Sequence, residues 1–254
     1  MKGALAAIGF LTRLPLPRHA HDLERAAAAQ GWFPIVGLLL GGLLLAADRL
    51  LSRGLPEASA DVLLIVLLVI LTGAIHIDGL SDAADGLLGG RSPGDRLAIM
   101  RDVRTGSFGV TAIVSVLAMK WAGLLALPRD VRFEALLLAP CLARWAMTLA
   151  VAGVPPARPD GLGATFHRAA CPFTTVIAGA VALAASVVLL GASGALAVLE
   201  VTLVAVGGAL LARRAVGGMT GDICGALVEV SEAASLLFIA AVARHGWLEA
   251  YALA

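Results

Sequence analysis

Seven stretches of this chain, residues 32–51, 61–77, 109–127, 133–151, 172–190, 195–212 and 233–247, are so apolar that a helix built from them has little polar side to turn toward water. The stretch at 172–190 holds no charged residue, and that at 109–127 holds only Lys120. A helix needs about 20 mostly apolar residues to cross the hydrocarbon of a bilayer. Helices, unlike open strands, satisfy their own backbone there. The pattern predicts an all-α fold, a polytopic transmembrane helical bundle of about seven spans, of which 61–77 and 233–247 are short and partly interfacial. Glycines such as Gly37 with Gly41, and Gly207 with Gly208, let helices pack closely within it.

Composition agrees. Of 254 residues, 59% are hydrophobic and 15% charged, where soluble domains have roughly 45–50% and about 25%. The formal net charge of +1 argues against a general polyanion binder, so no nucleic-acid partner is expected. Cys141, Cys171 and Cys224 are odd in number and scattered, which offers neither a disulfide framework nor a zinc spacing. Near the N-terminus a short apolar segment is followed by Arg13 and two prolines instead of a cleavage site, so an amphipathic surface segment is expected there. No repeat or second domain interrupts the pattern, and residues 1–254 read as one membrane domain.

Arginine and lysine set the orientation. With the N-terminus inside, the cytoplasmic segments hold Lys2, Arg13, Arg18, Arg25, Arg91, Arg96, Arg101, Arg104, Arg158, Arg168, Arg213 and Arg214. The outer turns hold mainly Arg49, Arg53, Arg129 and Arg132. This bias puts the N-terminus in the cytoplasm, and every long polar connection, with any chemistry it carries, on the same side.

The most informative of these connections begins at His76 and runs through Asp78, Asp82 and Asp85. In a helix, spacings of four and three stack the three carboxylates on one face. Their repulsion at a membrane boundary is relieved by a divalent cation, and oxygen-only ligands suit Mg²⁺. A solvated helix end is the plain alternative. Against it stand the small or apolar residues between the aspartates, the adjoining span, and the arginines that follow: Arg91, Arg96, Arg101 and Arg104. Guanidinium forks match phosphate oxygens, and the turn at Gly106 and Gly109 brings backbone N–H groups near an anion at the next helix start. His76 is either a ligand, a general base, or simply a hydrogen-bonded helix-end histidine.

A second acidic group, Asp222, Glu229 and Glu232, follows Gly217, Gly218, Thr220 and Gly221 between the sixth and seventh spans. An interhelical loop with a helix start near Thr220 would explain it alone. Two acidic patches facing one another with arginines between are also what metal-assisted phosphoryl transfer requires. Lys120 and Arg144 lie inside predicted spans, where an unpaired charge is costly, and are expected to face the bundle interior.

The run His76-x-Asp78-Gly79-Leu80-Ser81-Asp82-x-x-Asp85-Gly86, followed by Ile99-Met100-Arg101-Asp102-x-Arg104-x-Gly106-x-Phe108-Gly109, resembles the signature of cobalamin synthase, the adenosylcobinamide-GDP ribazoletransferase family. Phe10-x-Thr12-Arg13-x-Pro15-x-Pro17, Phe33-Pro34-x-Val36-Gly37 and Gly218-x-Thr220-Gly221-Asp222-x-x-Gly225-Ala226-x-x-Glu229-x-x-Glu232 are similar to the same family, in the same order. Ser81 and Val103 stand where alanine and serine are expected, and neither change removes a charged candidate. The resemblance implies an Mg²⁺-dependent enzyme of the bacterial cytoplasmic (inner) membrane whose site faces the cytoplasm. It would join adenosylcobinamide-GDP to α-ribazole or α-ribazole 5′-phosphate, releasing GMP. Within that reading, side-chain chemistry gives the metal to Asp78, Asp82 and Asp85, and substrate contacts to Arg13, Arg91, Arg101, Arg104 and Thr220. Orienting or deprotonating the nucleophile falls to Asp222, Glu229, Glu232 or His76. The partners implied are the two small-molecule substrates and the lipid bilayer, with a homo-oligomer left open.

Two other readings compete. A CDP-alcohol phosphotransferase also clusters aspartates, but its signature wants an Ala-Arg pair after the first Asp-Gly, and here Asp85-Gly86 is followed by Leu87-Leu88-Gly89. A secondary transporter expects broken helices and ionisable residues at mid-bilayer.

Overall fold

A computed structural model describes residues 2–245. Twelve α-helices occur among them: α1 (Lys2–Leu11), α2 (Leu23–Ala28), α3 (Phe33–Leu51), α4 (Glu57–Thr72), α5 (Ile75–Gly89), α6 (Pro93–Ile99), α7 (Ser107–Ala126), α8 (Arg132–Gly153), α9 (Leu162–Ala169), α10 (Pro172–Leu190), α11 (Ala192–Val216) and α12 (Gly221–Arg244). Six helices are long and apolar enough to cross a membrane, and α4 with α5 makes a seventh span if counted as one broken helix. The fold is an all-α polytopic bundle.

Helix α8 forms its axis. Most of its residues are buried, and α3, α12, α10 and α11 pack around it. Gly37 and Gly41 of α3 lie directly on the α8 backbone, where an added Cβ would come within 2.7 Å of Leu137 and Cys141 main-chain atoms. Apolar helices gain nothing from leaving lipid for one another, so such close backbone contact supplies the van der Waals attraction that holds them. Of the other glycine pair, Gly208 admits the Leu227 side chain while Gly207 faces open space. Large apolar side chains are exposed instead of buried on the outer helices, among them Val114, Leu125, Val176, Val188, Leu203 and Leu211. That inversion of a soluble surface is what a lipid-facing wall requires. Toward one end, Arg132 ties α3, α4 and α8 together, donating to Asp48 at 2.8 Å and to Asp61 at 2.5 Å.

Two spans differ from the expected ones. The stretch at 61–77 is not continuous: Gly73 and Ala74 adopt positive φ (64° and 59°), and α5 leaves α4 at 91°. Glycine accepts that conformation freely, whereas Ala74 is held in it under strain. The last span begins earlier than residue 233, because Thr220 caps a helix that runs unbroken to Arg244. Its expected end at Trp247 lies outside the described residues. The N-terminal segment forms helix α1, which buries Ala6, Ala7 and Leu11.

Candidate functional site

The break at Gly73 and Ala74 creates the site by laying α5 across the end of the bundle. On α5 the aspartates occupy one face, and α5 crosses α12 where both helices carry glycine. A Cβ added to Gly79 would sit 2.9 Å from the Asp222 carbonyl oxygen; one on Gly225 would sit 3.2 Å from the His76 carbonyl oxygen. With no side chains between them the backbones touch, and of the second acidic group Asp222 meets the aspartate face. The Asp82 carboxyl lies within electrostatic reach of Asp78, Asp85 and Asp222. Asp78 is exposed and Asp82 half-buried.

Asp85 is directed elsewhere. Its two oxygens accept N–H groups from Gly106 (2.7 Å) and Gly109 (2.9 Å) at the start of α7. A carboxylate there meets the positive end of the helix dipole and satisfies donors that a helix start leaves open. Of the predicted metal-binding trio, this leaves Asp78 and Asp82 facing the open side. The anion met by the Gly106 and Gly109 turn is thus a side chain of the protein itself.

Asp222 occupies the first turn of α12, beside the N-cap Thr220, whose hydroxyl accepts from Ile223 N at 3.1 Å. Thr220 is buried in that capping role, which accounts for it without a substrate. Gly217 closes α11 with φ 86°, and the chain then pairs with the segment after α8: Met219 N donates to Pro155 O at 2.8 Å, and Ala157 N to Met219 O at 2.9 Å. This pairing sets Arg158 against Asp222, guanidinium to carboxylate 3.3 Å. Sequence reading counted Arg158 only as a topology signal. The prolines around it, Pro155, Pro156 and Pro159, were the available clue that this arginine is held stiffly.

The arginine-rich connection forms α6, opened by a capping box between Ser92 and Asp95. Arg96 fastens it, donating to Gly90 O (3.2 Å) and to Ala215 O (2.9 Å) of α11. Arg101 reaches across to Asp160 at 3.1 Å, in the same segment as Arg158. Arg104 turns back on Asp102 at 2.7 Å and, by hydrogen bonding, holds that exposed carboxyl down at about 2. Arg91 is exposed. Arg13 lies at the α4–α5 break, where its backbone N–H donates to Leu71 O at 2.7 Å and its side chain rests on Gly73.

Glu229 and Glu232 do not join Asp222. They lie two and three turns further along α12, 3% and 2% exposed, and Lys120 donates to both at 2.6 and 2.5 Å. Arg144, fully buried, also pairs with Glu232. Two cations and two anions thus cancel inside the bundle, as a low-dielectric interior requires. This pairing replaces the expected role of these glutamates toward a nucleophile. It also gives Lys120 and Arg144 the interior positions predicted for them. His76, buried on α5 and two residues from Asp78, points about 200° around the helix from it. It faces the bundle and not the aspartates.

Among the described residues no group of three or more His, Cys, Asp or Glu side chains is arranged to hold a metal ion. Magnesium does not need such a cage: it binds through one or two carboxylates, completed by waters and substrate phosphates. Asp78 and Asp82, one turn apart and all-oxygen, fit that donor set.

Fold and site together define a polytopic α-helical membrane protein with an acidic, arginine-rimmed site at one end of its bundle. Comparison with known proteins narrows this. The family described as cobalamin-5-phosphate synthase matches residues 3–240. An adenosylcobinamide-GDP ribazoletransferase of Pseudomonas aeruginosa (strain UCBPP-PA14) is 41% identical over 94% of this chain and 98% of its own length. Those of Geotalea daltonii and Roseiflexus sp. (strain RS-1) are 36% and 39% identical, over 93% and 91% of this chain and 96% and 86% of theirs. No solved structure matches. The chain belongs to the cobalamin-5-phosphate synthase family.

Proposed function

We propose that this chain joins adenosylcobinamide-GDP to α-ribazole, or to α-ribazole 5′-phosphate, in the cytoplasmic membrane of a bacterium, with the N-terminus and the site on the cytoplasmic side. The observation that carries the reading is the meeting of Asp78 and Asp82 with Asp222 beneath Arg158. One carboxylate pair is free to face a cation, and a separate carboxylate, steadied by a guanidinium, is free to face a hydroxyl. The orientation rests on the arginines at this end of the bundle, including Arg96, Arg101 and Arg158, which exceed those at the Arg132 end.

In this reading Asp78 and Asp82 would hold Mg²⁺ together with diphosphate oxygens; when bound, the ion neutralises charge on the phosphates. Arg158 and Arg101, with Arg91 and Arg104 on the rim, attract and orient the diphosphate. Asp222 accepts the proton of a ribose hydroxyl that is free in both acceptors, and so not the 5′ one, as its oxygen bonds to the cobinamide-linked phosphorus. The bond from that phosphorus to the bridging oxygen breaks, and GMP departs with the electron pair. Asp85 holds α7 against α5 and keeps the aspartate face in place.

The test is GMP release by the purified chain in lipid nanodiscs, given adenosylcobinamide-GDP and then α-ribazole. Release that requires both α-ribazole and Mg²⁺, and that falls at least about a hundredfold in Asp82→Asn, supports the reading. Full Mg²⁺-dependent release by Asp82→Asn would refute the metal assignment, and no release by the unaltered chain would refute the function.

A further inference from the structure

Behind the aspartate face lies a cavity that the reaction described so far does not use. It has about 450 Å³ of empty space, counted out through its open mouth into solvent. Its walls are mostly apolar: Phe10, Met147, Val151, Phe166 and Cys224, with His76 among them. Phe10 and Phe166 meet at 4.6 Å between ring centroids with their planes tilted by 36°, so one wall is aromatic. Gly163, Gly221 and Gly225 leave another wall without side chains.

Two details point to a ligand. First, His76 is 3% exposed and its Nε2 has no hydrogen-bond partner. A buried polar atom left unpaired is disfavoured unless something else meets it. Second, the cavity adjoins the reacting end: Gly221 precedes Asp222, and Gly225 touches the α5 backbone at Gly79. A molecule filling it by an apolar ring would extend its remainder toward Asp222.

We infer that this cavity is the seat of the acceptor's aromatic base, with His76 Nε2 hydrogen-bonded to a ring nitrogen and the ribose leading out to Asp222. The inference rests on the acceptor being α-ribazole, whose base is a benzimidazole: flat, bicyclic, largely apolar, with one ring nitrogen free to bond. A purine would bring several more polar atoms into walls that offer a single partner, so acceptors built on purines are discriminated against. His76 in this arrangement is a binding residue, which accounts for its burial away from the aspartates.

The experiment uses the full chain in nanodiscs, with benzimidazole as the probe and GMP release as the rate. Benzimidazole is expected to compete with α-ribazole and not with adenosylcobinamide-GDP. Met147→Trp, which fills the cavity, raises the KM for α-ribazole by about tenfold or more with the donor KM unchanged. His76→Phe does the same, and His76→Gln, which restores a hydrogen-bonding group, recovers part of the loss. Competition with the donor instead, or an unchanged acceptor KM in a normally folded Met147→Trp protein, overturns the assignment. Should the unaltered chain release no GMP, the functional reading fails by itself, and equilibrium binding of labelled benzimidazole then judges the cavity. Binding that disappears in Met147→Trp upholds an aromatic-base seat, and absence of binding to the unaltered chain overturns it.

Discussion

Removing Lys120 should damage this protein more than removing any surface charge, and a second substitution should repair most of the damage. Lys120 is buried and donates to both Glu229 and Glu232 at 2.6 and 2.5 Å, while Arg144 pairs with Glu232 alone. The four charges sum to zero; Lys120→Met leaves a net −1 with Glu229 unpaired in the bundle interior. Breaking a buried pair from one side costs about 3–5 kcal/mol, because the remaining charge stays desolvated. Lys120→Met with Glu229→Leu restores neutrality and leaves Arg144 with Glu232 intact. Replacement of a buried ion pair by apolar groups is close to neutral, so the double variant should regain most of that loss. The coupling between the two sites should therefore be on the order of 2 kcal/mol or more. Reversible unfolding in SDS–detergent mixtures measures all four corners of the cycle, and GMP release reports function alongside. A double variant as unstable as the single one would refute the charge-balance argument. A stable but inactive double variant would return Glu229 to the chemistry and show that its burial had been misjudged.

The helix crossing is equally open to test. Gly79→Ala puts a methyl 2.9 Å from the Asp222 carbonyl oxygen and should lower GMP release at least about tenfold through displacement of Asp222. Gly42→Ala, which meets nothing within 4 Å, should leave activity unchanged. Asp85→Ala removes the acceptor for Gly106 and Gly109 N–H and should cost about 1–2 kcal/mol as a lost helix cap, read by SDS unfolding and by faster hydrogen exchange at the start of α7. For Asp102, hydrogen bonds from Arg104 lower the carboxyl from its ordinary 3.8 to about 2. A depressed carboxylate contributes order above its ordinary value and loses it as pH falls through the depressed one. The Asp102–Arg104 turn should therefore persist to about pH 2, and Arg104→Gln, which removes the side-chain hydrogen bonds and keeps the backbone one, should raise the Asp102 midpoint, followed by NMR, toward the ordinary carboxylate value.

Much of this arrangement could be read from residue order, and the parts that could not share a cause. Apolar length located the spans, and the close packing at Gly37 and Gly41 follows from small residues on a membrane helix. The fourfold and threefold spacings of Asp78, Asp82 and Asp85 put them on one face, and of the second acidic group Asp222 did fall beside that face. Spacing says nothing about what each side chain meets across the interface. Asp85 differs from Asp82 only because the Gly106–Gly109 turn lands on it. Glu229 and Glu232 continue the helix of Asp222, but each further turn carries a residue about 5.4 Å along the axis, so two and three turns take them from the rim into the core. The 61–77 stretch read as a single span because hydropathy is blind to a glycine in left-handed geometry, and Gly73 reveals itself only when α5 departs at 91°.

That break also explains the N-terminal motif. A helix interrupted among apolar neighbours leaves carbonyl groups without their intrahelical donors, and such groups must be satisfied by protein since lipid offers nothing. Here Arg13 N–H donates to Leu71 O, and the Arg13 side chain lies over Gly73. The segment reaches that position because α1 packs against α2 and α3 through Ala6, Ala7 and Leu11. Arg13 therefore belongs to the support of the α4–α5 corner, and the prolines that follow it stiffen the exit of the chain. Phe10, one turn earlier, faces the cavity beside His76. The same short segment thus braces the bend that presents the aspartates and walls the chamber behind them, which gives one physical reason for Phe10 and Arg13 to sit three residues apart.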